Sequence, residues 1–251
     1  MRADTAAVYR NEAELGEVLS EWLSSEEPAR QRQDLFVTSK LAPKDHGYQE
    51  TLAVCHRSLE LLRLEYLDLF LVHWPGKHGL KPEDPLNRQH RAGTWRAMEE
   101  LYESGKVRAI GVSNYTVRHL EEMLLPGPEA VKIPPMVNQV ELHPWFNQRE
   151  LIQYCQGKGI VLQAYSSLGQ GEVCSDERLV SLAQRHNKTP AQILLRWGLQ
   201  HGCPVIPKSA RPERIRENFQ VMDFELTNED MAFLDSTPQN RKICWDPETV
   251  T

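Results

Sequence analysis

Polar and charged residues stand at or next to the end of nearly every short apolar run in this sequence. They are Lys40, His73, Ser113 with Asn114, Asn138 with Gln139, Tyr165 with Ser166, and Lys208 with Ser209. Their side chains supply donors, acceptors and positive charge, which are the groups that bind a polar ligand and move protons. We therefore expect these side chains to surround one cavity.

Each of these residues also has a simpler structural explanation. Lys40 could extend from a strand end into solvent, and His73 could be a hydrogen-bonded histidine of the core. The amides of Asn138 and Gln139 could bind loop backbone. A protein without a functional site would not need a polar residue at all of these positions. Their number therefore favours the functional interpretation.

Alternating strands and helices must position these residues. The candidate strands are Asp34–Thr38, Asp68–Val72, Val107–Val112, Met136–Val140, Ile160–Ala164 and Pro204–Ile206, with a stub at Arg2–Thr5. The candidate helices are Asn11–Ser24, Tyr48–Leu64, Thr94–Ser104, Arg149–Lys158, Asp176–His186 and Pro190–His201. Near-continuous apolar strands alternating with amphipathic helices predict a parallel sheet covered by helices. The regular repetition favours a (β/α)8 TIM-type barrel in one domain over residues 1–251, in which catalytic groups lie at the carboxyl ends of the strands.

Composition excludes several other classes of protein. The chain has 251 residues, 25% charged residues and a formal net charge of −6, which argues against nucleic acid as a partner. No apolar run is long enough to cross a bilayer, and the N-terminus lacks the apolar core of a signal peptide. The five cysteines have neither metal-ligand spacing nor the pattern of a disulfide framework. We expect a cytoplasmic protein without a metal site.

Several segments of the sequence, in the same order and at the same spacing, resemble the motifs of the aldo-keto reductase family. The segments that carry the resemblance are Asp4–Glu12, Val37–Leu41, Asp68–Pro75, Gly111–Asn114, Asn138–Pro144, Ala164–Ser166, Ile206–Ser209 and Arg214–Asn218. The resemblance implies an oxidoreductase that reduces aldehydes and ketones to alcohols with hydride from NADPH. No GxGxxG follows a strand, so the Rossmann alternative lacks its fingerprint.

The resemblance implies a catalytic tetrad of Asp4, Tyr9, Lys40 and His73. Tyr9 would donate a proton to the developing alkoxide. Because a free tyrosine has a pKa near 10, the Lys40 ammonium would have to stabilise the phenolate that remains. Asp4 would keep Lys40 charged and in place. His73 would orient the substrate carbonyl, and Trp74 would also contact the substrate.

The family pattern also implies the cofactor site. Ser113, Asn114 and Gln139 resemble the clamp on the nicotinamide carboxamide, and the Tyr165 ring would stack on the nicotinamide. The remaining implied contacts are Ser166 and Leu168 along the pyrophosphate, Lys208, Ser209 and Arg214 at the 2′-phosphate, and Glu217 and Asn218 at the adenine. A phosphate monoester is well matched by charged and forked donors. This favours NADPH over NADH.

The sequence departs from the family pattern at its start. Family members carry a first barrel strand and helix before the aspartate, whereas Asp4 is almost the first residue here. We expect a barrel that is incomplete at its N-terminus, and a chain less stable and less active than the same chain extended by that strand and helix. The C-terminal tail, Gln239–Thr251, is similar in position to a substrate-capping tail, in which Trp245 could line a pocket.

Three functions therefore remain open. The chain could be an active reductase, which we expect to be a monomer acting on a small carbonyl compound. It could be a truncated and catalytically impaired isoform. It could be a non-catalytic nucleotide-binding subunit, although the presence of all four tetrad residue types argues against this alternative. NADPH binding followed by turnover of a broad aldehyde would distinguish them.

Overall fold

A computed structural model describes residues 1–25, 29–127, 130–239 and 241–251. The chain forms two compact units. The first unit comprises Met1–Asn138 with Pro247–Thr251, and the second comprises Gln139–Asp246. The expectation of one barrel domain over 1–251 stays a prediction.

Parallel strands alternate with helices in the first unit. Its elements are β1 (Arg2–Asp4), α1 (Glu12–Leu23), β2 (Phe36–Leu41), α2 (Tyr48–Leu62), β3 (Leu69–Val72), α3 (Leu86–Glu103), β4 (Ile110–Ser113) and α4 (Val117–Leu124). The register places Asp4 beside Thr38, Lys40 beside Leu71, and Val72 beside Val112. Strand β5 (Val137–Glu141) crosses the boundary between the units.

The core of the first unit lies between this sheet and its helices. All four residues of β3 are buried, as expected for a parallel strand covered on both faces. Helix α1 approaches α2 closely at Gly16, where the Cβ atom of an alanine would lie 2.2 Å from the carbonyl oxygen of Leu61. Because of this contact, a larger residue at position 16 would force the two helices apart.

The second unit contains the end of β5, one further strand and five helices among its described residues. These are α5 (Arg149–Lys158), β6 (Val161–Tyr165), α6 (Glu177–Arg185), α7 (Pro190–Gln200), α8 (Pro212–Phe219) and α9 (Asn228–Asp235). A 3-10 helix, Gly169–Ser175, follows β6. Helix α7 begins with a capping box between Thr189 and Gln192 and has Pro190 in its first turn, as the sequence predicts.

Several element bounds differ from the sequence prediction. Helix α3 begins eight residues earlier than the predicted Thr94, at Leu86. Helices α4, α8 and α9 are not among the predicted elements, because each is only eight residues long. The segment Pro204–Ile206 is not a strand and contributes only an isolated parallel bridge between Val205 and Ala164. Within the described ranges, no helix combines the length and apolar character needed to cross a membrane.

Candidate active site

Lys40 and Asp4 form a buried ion pair in the first unit. Lys40 lies on β2 with 1% of its side chain exposed, and its Nζ donates to the Asp4 carboxylate. The same nitrogen donates to the Thr5 carbonyl at 3.0 Å. The parallel register of β1 and β2 places Asp4 two residues before the level of Lys40, within reach of its long side chain. The solvent-directed alternative for Lys40 is therefore wrong.

Opposing effects act on the Lys40 ammonium. Burial lowers the pKa of Lys40 because it disfavours the charged form, and the charge and hydrogen bond of Asp4 raise it. The net effect is a pKa below the ordinary value of a lysine.

Tyr9 lies beside this ion pair, at the end of the 3-10 helix Ala7–Tyr9. The centre of its ring is 5.3 Å from Lys40 Nζ, and about half of the residue is exposed. The buried Ala6 accepts a hydrogen bond from the Tyr9 amide at 2.9 Å. Arg10 then reverses the chain with a left-handed φ of 56°. This tight turn holds the phenol side chain at the end of β1.

His73 follows β3 directly and lies next to Tyr9. The two ring centres are 5.7 Å apart in an edge-on arrangement. Burial is the main effect that lowers the pKa of His73 to about 3, and the positive charge of Lys40 lowers it further. His73 is therefore neutral at physiological pH. Its buried Nδ1 has no hydrogen-bond partner within the described part of the chain.

Asn114 fixes the backbone of His73. It follows β4 in the left-handed region at φ 63°, a conformation that asparagine tolerates better than most residues. Its Nδ2 donates to the His73 carbonyl at 3.0 Å and to the Ser113 hydroxyl at 3.1 Å. The first unit thus brings together Asp4, Tyr9, Lys40, His73 and Asn114. This link between the ends of β3 and β4 was not predicted from the sequence.

Asn138, by contrast, has a structural role: its side-chain amide binds loop backbone, which was the simpler of the two explanations for this residue. Its Nδ2 donates to the Tyr115 carbonyl at 2.8 Å, and its Oδ1 accepts from the Tyr115 amide at 3.4 Å. The side chain is fully buried. Both ends of the amide therefore bind loop backbone, so Asn138 does not contribute a cavity-lining group.

In the second unit, Gln139 is held by a residue that the sequence analysis missed. Its Nε2 donates to Gln163 Oε1 at 2.8 Å, and both side chains are buried on neighbouring strands β5 and β6. Gln163 lies between Leu162 and Ala164, and a polar residue within a buried apolar strand is the signal that could have identified it.

Tyr165 and Ser166 end β6 in a strained turn. Ser166 has a φ of 50°, an uncommon conformation for a residue with a side chain. Its hydroxyl lies 3.8 Å from the Cys244 sulfur, and the Tyr165 side chain also hydrogen-bonds Cys244. Leu168, half-buried, immediately precedes the following 3-10 helix.

The residues predicted for the adenosine end lie on and before α8. Lys208 and Arg214 are exposed, whereas Ser209, Glu217 and Asn218 are half-buried. Two of these residues have local structural contacts. The Arg211 amide donates to the Ser209 hydroxyl at 3.1 Å, and Thr189 Oγ1 donates to Glu217 Oε1 at 2.6 Å. Burial raises the pKa of the Cys174 thiol in the 3-10 helix after β6, and the charges of Arg214 and Glu217 on α8 have smaller, opposing effects on that pKa.

Comparison with known proteins identifies the same family across nearly the whole chain. Residues 2–238 match the model described as the aldo/keto reductase family. The chain is 47% identical over 247 residues to a glyoxal reductase of Bacillus subtilis, with 98% of this chain and 82% of that protein covered. It is 45% identical over 248 residues to a 9,11-endoperoxide prostaglandin H2 reductase of Trypanosoma cruzi, covering 98% and 80% of the two chains.

Solved structures confirm the predicted fold class. An aldo-keto reductase from a Medee basin deep-sea metagenome library matches with a TM-score of 0.87 at 40% identity, covering 100% of this chain and 86% of the other. The aldose reductase of Schistosoma japonicum matches with a TM-score of 0.86 at 39% identity, covering 97% and 81%. The described residues contain six strands of the (β/α)8 type of barrel. These matches, together with the Asp4–Lys40 pair beside Tyr9 and His73, show that the chain belongs to the aldo/keto reductase family of oxidoreductases, which reduce small carbonyl compounds.

Proposed function

We propose that this protein reduces aldehydes and ketones to alcohols with NADPH, and that Tyr9 is the proton donor. The observation that carries the proposal is the position of Tyr9 in the first unit, beside a buried lysine and a neutral histidine. Its ring centre is 5.3 Å from Lys40 Nζ and 5.7 Å from the centre of the His73 ring. Both Lys40 and His73 are buried, so their effect on a polar neighbour is weakly screened.

The proposed reaction divides two tasks between cofactor and protein. When bound, NADPH would supply the hydride that adds to the carbonyl carbon and would become NADP+. Tyr9 transfers its phenolic proton to the carbonyl oxygen, which gains negative charge as the carbon accepts the hydride. The products would be the alcohol, NADP+ and a tyrosine phenolate. The Lys40 ammonium stabilises that phenolate until Tyr9 takes up a proton from solvent.

His73 orients the substrate in this proposal. With a pKa lowered to about 3 by burial and by Lys40, its imidazole is neutral throughout the physiological range. A neutral imidazole can donate one hydrogen bond to the substrate oxygen without competing with Tyr9 as an acid. Asn114 holds the His73 backbone through the 3.0 Å bond to its carbonyl. We propose that Trp74, whose ring stacks at 6.3 Å from the His73 ring, is the neighbouring substrate contact.

The side chains of the described residues fit a nicotinamide dinucleotide. Ser113 carries a hydroxyl, and Asn114 and Gln139 carry amides, which are groups suited to binding a carboxamide. Gln139 Nε2 donates a hydrogen bond to Gln163 Oε1. This bond holds the Gln139 amide in a fixed orientation. Tyr165 offers an aromatic face for the nicotinamide ring, and Ser166 and Leu168 follow it along the proposed pyrophosphate path.

The preference for NADPH rests on the cations near α8. Lys208 and Arg214 are exposed, and Ser209, which follows Lys208 in the chain, carries a hydroxyl. A 2′-phosphate would gain charge-assisted hydrogen bonds from these groups. Glu217 and Asn218 would lie at the adenine, with the Glu217 carboxylate already held by Thr189.

The names of the relatives describe carbonyl or endoperoxide reduction, and we propose a small carbonyl compound as substrate here. We also propose that the protein is a cytoplasmic monomer. Size-exclusion chromatography with light scattering tests the oligomeric state, because a dimer would elute with twice the 28.9 kDa mass of the chain.

The experiment that tests the function combines binding and turnover. NADPH is titrated while tryptophan fluorescence is recorded, and NADPH oxidation is then followed with 4-nitrobenzaldehyde. An active reductase shows saturable quenching and aldehyde-dependent NADPH consumption with one alcohol formed per NADPH. Binding without turnover would support the nucleotide-binding alternative. The absence of both in a folded protein would contradict the proposal.

A further inference from the structure

The C-terminal tail residues Gln239 and 241–246 are tied to the loop that follows β5, within the second unit. Gln239 Nε2 donates to the Pro144 carbonyl at 2.7 Å, and the Asn147 amide donates to Gln239 Oε1 at 2.7 Å. The Lys242 ammonium lies 4.1 Å from the centre of the Phe146 ring. These contacts place the tail along the loop but do not fix its backbone at Ile243 and Cys244.

Glu141 supplies the contacts that fix this part of the tail. Its Oε1 accepts from the Ile243 amide at 2.8 Å, and its Oε2 accepts from the Cys244 amide at 2.9 Å. His143 Nε2 lies 3.2 Å from Oε1. Only 1% of the Glu141 side chain is exposed. A buried carboxylate that accepts from two successive backbone amides is a strong and directional anchor.

The anchored tail contacts the turn at the end of β6. The Cys244 sulfur hydrogen-bonds the Tyr165 side chain and lies 3.8 Å from the Ser166 hydroxyl. Ser166 adopts a φ of 50°, so its conformation requires support from its surroundings. The Gly169 amide gives part of that support by donating to the Ser166 carbonyl at 2.8 Å. The tail supplies a further contact through Cys244.

We propose that Glu141 is a positioning residue that holds the tail at Ile243–Cys244 and thereby fixes Tyr165 and Ser166 as the surface on which the cofactor binds. Tyr165 and Ser166 have that role under the proposed function, on which this second part rests. Glu141 itself is not proposed to touch the cofactor. It acts through the tail.

The charge of Glu141 is essential to this role. Burial alone would raise the pKa of Glu141, but the bonds from His143, Ile243 and Cys244 outweigh burial and hold the pKa below its ordinary value. The group is therefore ionised at neutral pH and offers two acceptor oxygens. A glutamine at this position would offer only one acceptor and would turn an NH2 group toward a backbone N–H.

The test uses Glu141→Gln, which keeps the shape of the side chain, and Glu150→Gln as the matched control. Glu150 is exposed in the first turn of α5, so its substitution makes the same charge change on the same unit without altering the tail. The first readout is tryptic cleavage after Lys242 in the cofactor-free protein, followed by mass spectrometry of the nine-residue product Ile243–Thr251. The second readout is the NADPH dissociation rate by stopped-flow fluorescence.

Glu141→Gln is expected to accelerate cleavage after Lys242 at least about tenfold and to accelerate NADPH dissociation by a similar factor, because it removes charge-assisted hydrogen bonds. Glu150→Gln should leave both rates unchanged, and circular dichroism should show that both variants are folded. Cleavage at the wild-type rate in Glu141→Gln would overturn the proposal. Faster cleavage with unchanged NADPH dissociation would overturn the link to the cofactor surface. If wild-type protein does not bind NADPH, the proposed function fails, while the cleavage result still decides whether Glu141 holds the tail.

Discussion

At the scale of single residues, the sequence predicted which side chains would meet in the first unit better than it predicted how they are held. Asp4, Tyr9, Lys40 and His73 follow from family motifs, and they lie together. The contact from Asn114 to the His73 carbonyl depends on a left-handed backbone at Asn114, which no pattern in a single sequence indicates. Long-range hydrogen bonds of this kind join residues 41 positions apart, so local sequence carries no signal for them.

Asp4→Asn is predicted to shift the alkaline limb of the pH–rate profile to lower pH. Asp4 raises the pKa of Lys40, whereas burial lowers it. Without the carboxylate, burial acts unopposed, so Lys40 loses its proton at a lower pH and the phenolate of Tyr9 loses its stabilising charge. The measurement is kcat/KM for NADPH-dependent aldehyde reduction between about pH 6 and pH 10, a range that lies below the ordinary lysine pKa of about 10.4, where a lysine with a lowered pKa titrates. Glu83→Gln, an exposed charge change, should leave the profile in place. An unshifted alkaline limb in Asp4→Asn would show that Lys40 does not set it.

Arg214→Ala is predicted to weaken NADPH binding about tenfold while changing NADH binding little. A charge-assisted phosphate contact contributes on the order of 1.5–3 kcal/mol to binding. Because Arg214 is exposed, we expect its contribution to lie at the low end of that range. Dissociation constants for both cofactors are measured by fluorescence titration. Arg216→Ala, also exposed on α8, is the matched control and should affect neither preference nor affinity strongly. An equal loss of affinity for NADPH and NADH in Arg214→Ala would mean that Arg214 does not bind the 2′-phosphate.

At the scale of helices and strands, the length of each element and its hydrophobic periodicity determined whether the sequence predicted it. Helices α5 and α7 were predicted closely, because Gly159 ends the first and Thr189–Pro190 begins the second. Helices α4, α8 and α9 span only about two turns, too short for a clear hydrophobic period. Val205 has the apolar neighbours of a strand but forms a single bridge.

Thr189→Ala is predicted to lower the free energy of unfolding by about 1–2 kcal/mol, the typical effect of losing an N-cap. Thr189 Oγ1 accepts from the Gln192 amide at 3.3 Å and donates to Glu217 at 2.6 Å, so it links the start of α7 to α8. Urea denaturation of the two proteins measures the difference. Ser181→Ala removes an exposed hydroxyl within α6 and should change the unfolding free energy by less than about 0.5 kcal/mol. A Thr189→Ala variant as stable as Ser181→Ala would contradict the capping role.

At the scale of the whole molecule, buried neutral histidines predict sensitivity to acid. Burial lowers the pKa of His46 and of His73 to about 3, and that of His119 to about 4. As the pH falls below about 6.5, the unfolded chain takes up protons at these positions and the native protein does not. The free energy of unfolding should therefore decrease below pH 6.5 and continue to decrease toward pH 4, by up to about 1.4 kcal/mol per pH unit for each histidine.

Urea denaturation at pH 7, 6 and 5 tests this slope. His46→Gln should make the slope shallower, because it removes one of the groups that titrate differently in the two states. His78→Gln, at an exposed position, should keep the slope of the parent protein. A stability independent of pH between those values would contradict the burial of these histidines.

The single-turnover rate of Tyr9→Phe tests directly whether Tyr9 donates the proton. The substitution removes the phenolic hydroxyl and keeps the ring that lies 5.3 Å from Lys40 and 5.7 Å from His73. Protein in excess is mixed with NADPH and 4-nitrobenzaldehyde, and NADPH absorbance is followed, while the NADPH dissociation constant is measured separately by fluorescence. We expect a loss of at least about a hundredfold in the rate, the size typical of a general acid, with NADPH affinity within about twofold of the parent protein. A Tyr9→Phe variant that binds NADPH normally and keeps most of its reduction rate would show that another group donates the proton.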